Sequence, residues 1–131
     1  MNDYQGIIIE ESLLDTSVLK GLKILSTEVE AATPEHQSHV PQWTMHTVQI
    51  PEGQAEAVAQ RISVSLDGAH RWYADFKNTS RHYIIFKDKV FDIDRTSREQ
   101  YDEAKKHAEK AYELGYPVYG LRDKMKRIGK W

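Results

Sequence analysis

Two strand-length runs crowded with aromatic and β-branched residues, Trp72-Tyr73-Ala74-Asp75-Phe76-Lys77 and His82-Tyr83-Ile84-Ile85-Phe86-Lys87, lie either side of a short polar turn. A third run, Val90-Phe91-Asp92-Ile93, follows a tight turn at 87–89. Residues of this kind fit a pleated, half-buried surface, and turns this short leave no room for a crossover, so the segment specifies an antiparallel meander. Alternation along the first strand sends Trp72, Ala74 and Phe76 to one side and Tyr73, Asp75 and Lys77 to the other. The first set is assigned to the core. On the next strand His82, Ile84 and Phe86 share one side and Tyr83 and Ile85 the other, so both faces carry apolar groups. The second face there is expected to be covered by the N-terminal segment, a ligand or another subunit.

The rest of the chain supplies the partners of this meander. Strands are predicted over 6–10, 22–31 and 43–50, with a helical turn or open loop over 13–20 and an exposed, Pro-containing loop over 32–42. Ala55, Val58, Ala59, Ile62 and Leu66 fall at i, i+3, i+4, i+7 and i+11, one stripe of an amphipathic helix that Asp67-Gly68 ends. A second helix begins at a capping-box pattern, Thr96-x-x-Glu99 or Ser97-x-x-Gln100. It carries Tyr101, Ala104, Ala108, Ala111 and Tyr112 on its apolar stripe and stops at Gly115 and Pro117. The expectation is a single α+β domain over 1–131. Its antiparallel sheet has five to six strands, with both helices packed on one face and a basic extension over about 118–131.

The 131 residues suit one domain, and the absence of cysteine removes disulfides, thiolate metal sites and thiol nucleophiles together. No apolar run is long enough to span a bilayer, and the Met1-Asn2-Asp3-Tyr4 start is acidic where a signal peptide is basic, so the expected compartment is the cytoplasm. The net charge of −2 hides a gradient that ends in Arg122, Lys124, Lys126, Arg127 and Lys130. Such a tail could meet phosphate or an acidic surface, but Leu121, Met125, Ile128 and Trp131 recur at helical spacing and favour docking on the domain. Glycine-rich phosphate loops, nucleophile elbows and His-Glu-x-x-His motifs are missing.

Four clusters could carry chemistry. Glu35, His36 and His39 have metal-ligand character but sit in a loop without rigid support, and no metal or cofactor is expected. His46 and Asp75 are the candidate catalytic pair, a general acid and base on the sheet with Lys77 to anchor an anion, and the parity of its own strand argues against His82 joining them. Asp88, Asp92 and Asp94 are better explained by turn and cap roles. Trp43, Trp72, Tyr73 and Tyr83 beside Arg71, Lys77 and Arg81 could stack bases, but the acidic N-terminal half makes a nucleic-acid partner the weaker expectation.

The strings Trp-Tyr-Ala-Asp-Phe-Lys-Asn at 72–78, His-Tyr-Ile-Ile-Phe-Lys-Asp-Lys-Val-Phe at 82–91, Asp-Arg-Thr-Ser at 94–97 and Leu-Gly-Tyr-Pro at 114–117 resemble a family of small uncharacterised prokaryotic proteins. So do the run at 6–13 and Trp43-x-x-His46-Thr47-Val48, and the likeness covers nearly the whole chain except 118–131. The family has no established activity, so the resemblance implies no catalytic residue. The leading expectation is a small, non-enzymatic binding or regulatory module. Its uncovered sheet face, carrying Tyr73, Asp75, Lys77 and Tyr83, packs in a homodimer or holds a small anionic ligand. The competing expectation is an enzyme using His46 with Asp75.

Overall fold

The computed structural model describes residues 2–31, 42–67 and 72–113. The basic extension and the Glu35, His36 and His39 cluster lie outside the described residues. The chain runs through β1 (Tyr4–Ile9), a 3-10 turn (Glu10–Ser12), a second 3-10 turn (Thr16–Gly21) and β2 (Lys23–Ala31). It continues with β3 (Gln42–Ile50), α1 (Ala55–Ser65), β4 (Tyr73–Lys77), β5 (Arg81–Phe86), β6 (Lys89–Asp94) and α2 (Arg98–Glu113). The six strands form one antiparallel sheet in the order β2-β3-β1-β4-β5-β6, so the fold is α+β as the sequence predicts. The first strand of the chain therefore lies inside the sheet, between β3 and β4. No described helix is long and apolar enough to cross a membrane.

The first face is covered by α1. Its predicted stripe, Ala55, Val58, Ala59, Ile62 and Leu66, is buried in full against Tyr4 and Ile8 of β1, Val48 and Ile50 of β3, Ala74 and Phe76 of β4, and Tyr83 and Ile85 of β5. Val18 and Leu19 close one side of this core from the 3-10 turn at Thr16–Gly21, which Asp15 caps by accepting from the Ser17 amide at 2.9 Å. Each large side chain in this layer contributes roughly 1.5–3 kcal/mol through burial. The Ser63 hydroxyl donates to the Phe86 carbonyl at 2.6 Å and ties the helix to β5.

The second helix does not join the first. Tyr101 and Ala104 of α2 pack against Ile84, Phe86 and Ile93, with Tyr73 and Phe91 at the margin, and this cluster lies on the opposite face of the sheet. The expectation of both helices on one face is corrected by β5 itself, which is apolar on both sides and needs two covering layers. The helix is the cover on the second face. The doubly apolar strand was the ground for expecting a homodimer there, and that ground is removed.

Two local features fix the site. β1 and β4 approach so closely that a Cβ on Gly6 would stand 2.0 Å from the Asp75 carbonyl oxygen and 2.5 Å from the Phe76 Cα, so only glycine fits. At the start of α2 the Ser97 hydroxyl accepts from the Gln100 amide at 3.3 Å, as a cap should. The Gln100 side chain, however, reaches past Ser97 to accept from the Asp94 amide at 2.7 Å, so the reciprocal half of the box closes one turn earlier. Asp94 accepts from the Thr96 amide and hydroxyl at 2.9 and 2.7 Å, and these bonds hold its carboxyl below the usual range. Together they set the position of Tyr101.

Candidate functional site

His82 is wholly buried between the sheet and α2, with Asp75 Oδ2 2.8 Å from its Nε2 and the Tyr101 hydroxyl 3.2 Å from its Nδ1. A carboxylate can only accept, so Nε2 carries the proton; in the neutral ring Nδ1 then accepts from the Tyr101 O–H. The result is a continuous Asp75-His82-Tyr101 chain running from β4 through β5 to α2. Only its carboxylate end reaches solvent, with 19% of the Asp75 side chain exposed against 1% of His82. The arrangement presents one oriented carboxylate and can pass a proton along the chain behind it.

Lys77 lies opposite His82 in the β4–β5 register and so shares this face. Burial, and next the neighbouring Arg95 guanidinium, lower its ammonium below the ordinary lysine range, with Asp75 acting in the opposite sense. The Arg95 guanidinium also donates to the Asn78 carbonyl at 2.5 Å. Lys77 thus feels the charges of both Arg95 and Asp75, the latter two residues before it on β4.

The candidate catalytic pair does not meet. His46 stands opposite Ile8 and Asp75 stands opposite Ile7, and adjacent residues of one strand point to opposite faces. Ile8 is buried under α1 whereas Ile7 is 38% exposed on the other side, so His46 and Asp75 are separated by the sheet. His46 has partners of its own. Glu10 Oε1 lies 3.0 Å from its Nε2 and Thr27 Oγ1 lies 2.8 Å from its Nδ1. Beside it, Glu11 accepts from the Thr44 amide and hydroxyl at 2.6 and 2.7 Å. Burial pushes the Glu11 carboxyl up, but these hydrogen bonds and the nearby His46 leave it lower than an ordinary glutamate.

Of the four predicted ligand-binding residues, Tyr73, Asp75 and Lys77 share the second face. Tyr83 does not. It stands opposite Phe76 and is buried on the first face, its ring 5.0 Å from Phe76 and 5.4 Å from Tyr4. Burial, then the Asp92 carboxylate, pushes its phenol up to about 12. His82, against which the parity of its own strand argues, is the residue that meets Asp75. The missing signal was the register across the turn: Lys77 pairs with His82, which puts His82, Ile84 and Phe86 on the Asp75 side.

The remaining candidates take structural roles. Asp88 occupies the hairpin tip at φ 59°, Asp92 forms an ion pair with Arg81 at 2.9 Å, and among the described residues no cluster of three His, Asp or Glu could hold a metal. Trp43 and Trp72 are half-buried against one another, edge to face at 5.6 Å. No family model, curated protein or solved structure matches the chain.

Proposed function

We propose that the chain is a cytoplasmic, non-enzymatic binding module that takes a small anionic ligand at the edge of the second sheet face, beside Tyr73, Asp75, Lys77 and Arg95. The observation that carries this reading is the saturation of both described buried imidazoles: each has a carboxylate on Nε2 and a hydroxyl on Nδ1. A general base needs a free nitrogen within hydrogen-bond reach of the substrate. The Arg95 guanidinium disfavours charge on the partly buried Lys77, and an anion bound beside the two would offset that repulsion. The ring of Tyr73 and the carboxylate of Asp75 would then discriminate by shape and by a hydroxyl on the ligand.

The test is a titration of isotope-labelled protein with inorganic phosphate and with acetate, followed by amide chemical shifts. Saturable shifts confined to β4 and the start of α2, and lost in Lys77→Ala, are expected. Shifts centred on His46, or none at millimolar anion, overturn the reading.

One observation favours a second reading. Asp75 is both solvent-accessible and coupled through His82 to a phenol, which is the layout of a carboxylate base with a proton store behind it. In that reading the acid/base residue is Asp75, positioned by His82 and not by His46. Asp75→Asn would then abolish turnover of a substrate whose binding it leaves intact.

A further inference from the structure

The sheet ends on two very different edges. β6 has six residues, carries α2 on its second face through Ile93 and bears Lys89, Asp92 and Asp94 along its length. These are the usual means of blunting an edge: brevity, charge and a covering helix. β2 is neither short nor, among the described residues, covered by a helix, and its charges are Lys23, Glu28 and Glu30. It runs for nine residues, every one exposed, and among the described residues it pairs with β3 alone. Its single lysine is its first residue, it contains no proline, and its one irregularity lies between Ile24 and Ser26. Leu25 and Val29 are 43% and 61% exposed.

We infer that β2 is the seam of a homodimer, pairing antiparallel with β2 of a second copy about a two-fold axis at Thr27 to make one continuous twelve-stranded sheet. The inference does not depend on the ligand reading. A two-fold axis perpendicular to a sheet requires one residue of the strand to face its own copy, so few registers are available. Centred on Thr27, the pairing sets Ser26 against Glu28 and brings Leu25, at the irregularity, up to Val29 on both sides of the axis. Apolar side chains meet, and no carboxylate directly faces another. Centred on Glu28 it would oppose two carboxylates at the axis, and centred on Val29 it would oppose Glu28 to Glu30 on both sides. Of these three registers, the one at Thr27 alone brings Leu25 to Val29 and opposes no carboxylates.

The strand is also held ready. Thr27, at the proposed axis, is fixed to β3 by its hydroxyl at 2.8 Å from His46 Nδ1, so little order has to be gained on association. Main-chain ladder bonds from one strand pair make a small interface, and micromolar dissociation is the scale to expect.

Light scattering of the full chain across the micromolar range should give a mass rising to twice 15.2 kDa, and Val29→Lys should return it to 15.2 kDa with the circular dichroism of the folded chain unchanged. Because the chain has no cysteine, Thr27→Cys introduces its single thiol, and mild oxidation should link two copies through it. Glu56→Cys, on exposed α1 surface, should not cross-link under the same conditions. A monomer at every concentration overturns the inference, as would be found if β2 instead took a strand from a different protein. A dimer that survives Val29→Lys, or that cross-links no better at position 27 than at position 56, overturns the seam.

Discussion

His46 on β3 and His82 on β5 make the same two contacts in kind, a carboxylate on Nε2 and a hydroxyl on Nδ1, on opposite faces of one sheet. Their partners come from different places. His46 joins the edge strand β2, through Thr27, to the 3-10 turn that follows β1, through Glu10. His82 joins β4, through Asp75, to α2, through Tyr101. The carboxylates differ most: Glu10 is 46% exposed and Asp75 only 19%. Water competes for the first bond and is largely shut out of the second, so an identical hydrogen-bond pattern should be worth more where the helix covers it. A buried imidazole in such a setting is a fastener between elements, and its chemistry is spent on holding position.

The largest expected effect strikes what the two fasteners share. β1 lies between the strand of His46 and the strand of Asp75, and Gly6→Ala forces a methyl group into the β4 backbone. A loss of about 3 kcal/mol or more in urea denaturation is expected, enough to unfold a marginal domain. A near-neutral result would show that β1 can move away from β4. Next comes the direct contrast. His82→Ala leaves a hole under α2 and strands Asp75 and Tyr101, at about 3 kcal/mol, whereas His46→Ala should cost about 1 kcal/mol because Glu10 returns to water. Equal losses would break the comparison.

Removing only the hydroxyl partners sharpens it further. Tyr101→Phe should cost about 1 kcal/mol and raise hydrogen exchange along α2, while Thr27→Val should cost less and raise exchange only along β2. Exchange rising in the wrong element would show that the hydroxyls are not the tie. The smallest effect is acid-linked. The lowered Glu11 carboxyl beside His46 contributes stability above the 4.5 of an ordinary glutamate and loses it as pH falls through its folded value, because the unfolded chain binds the proton first. Glu11→Gln should therefore flatten the acid limb of the stability profile; a profile unchanged in shape would assign that limb to other carboxyls.

Much of the fold can be read from the residues. The stripe at Ala55, Val58, Ala59, Ile62 and Leu66 is buried throughout, and the runs at 72–77 and 82–87 are strands in a meander. Patterns within one element are local, and local preference and burial agree in them. The site was not legible because it depends on relations between elements. Whether His82 joins Asp75 turns on which residues stand opposite across the turn at 78–80, and whether it is buried turns on which face α2 chooses. Two apolar faces on β5 together with a spare amphipathic helix contained that answer, but periodicity within either segment alone could not join them.

The position of β1 has a consequence for how the protein is made. It leaves the ribosome before either of its neighbours, which lie some forty and seventy residues further along the chain. Until β4 is synthesised, the β4 side of β1 remains an open edge of unpaired N–H and C=O groups. Closure of the sheet waits on contacts of large sequence separation, which are slow to form. A nascent chain stalled between β3 and β4 should therefore be a substrate for chaperones that capture extended segments, and rapid elongation through 51–77 would shorten that exposure.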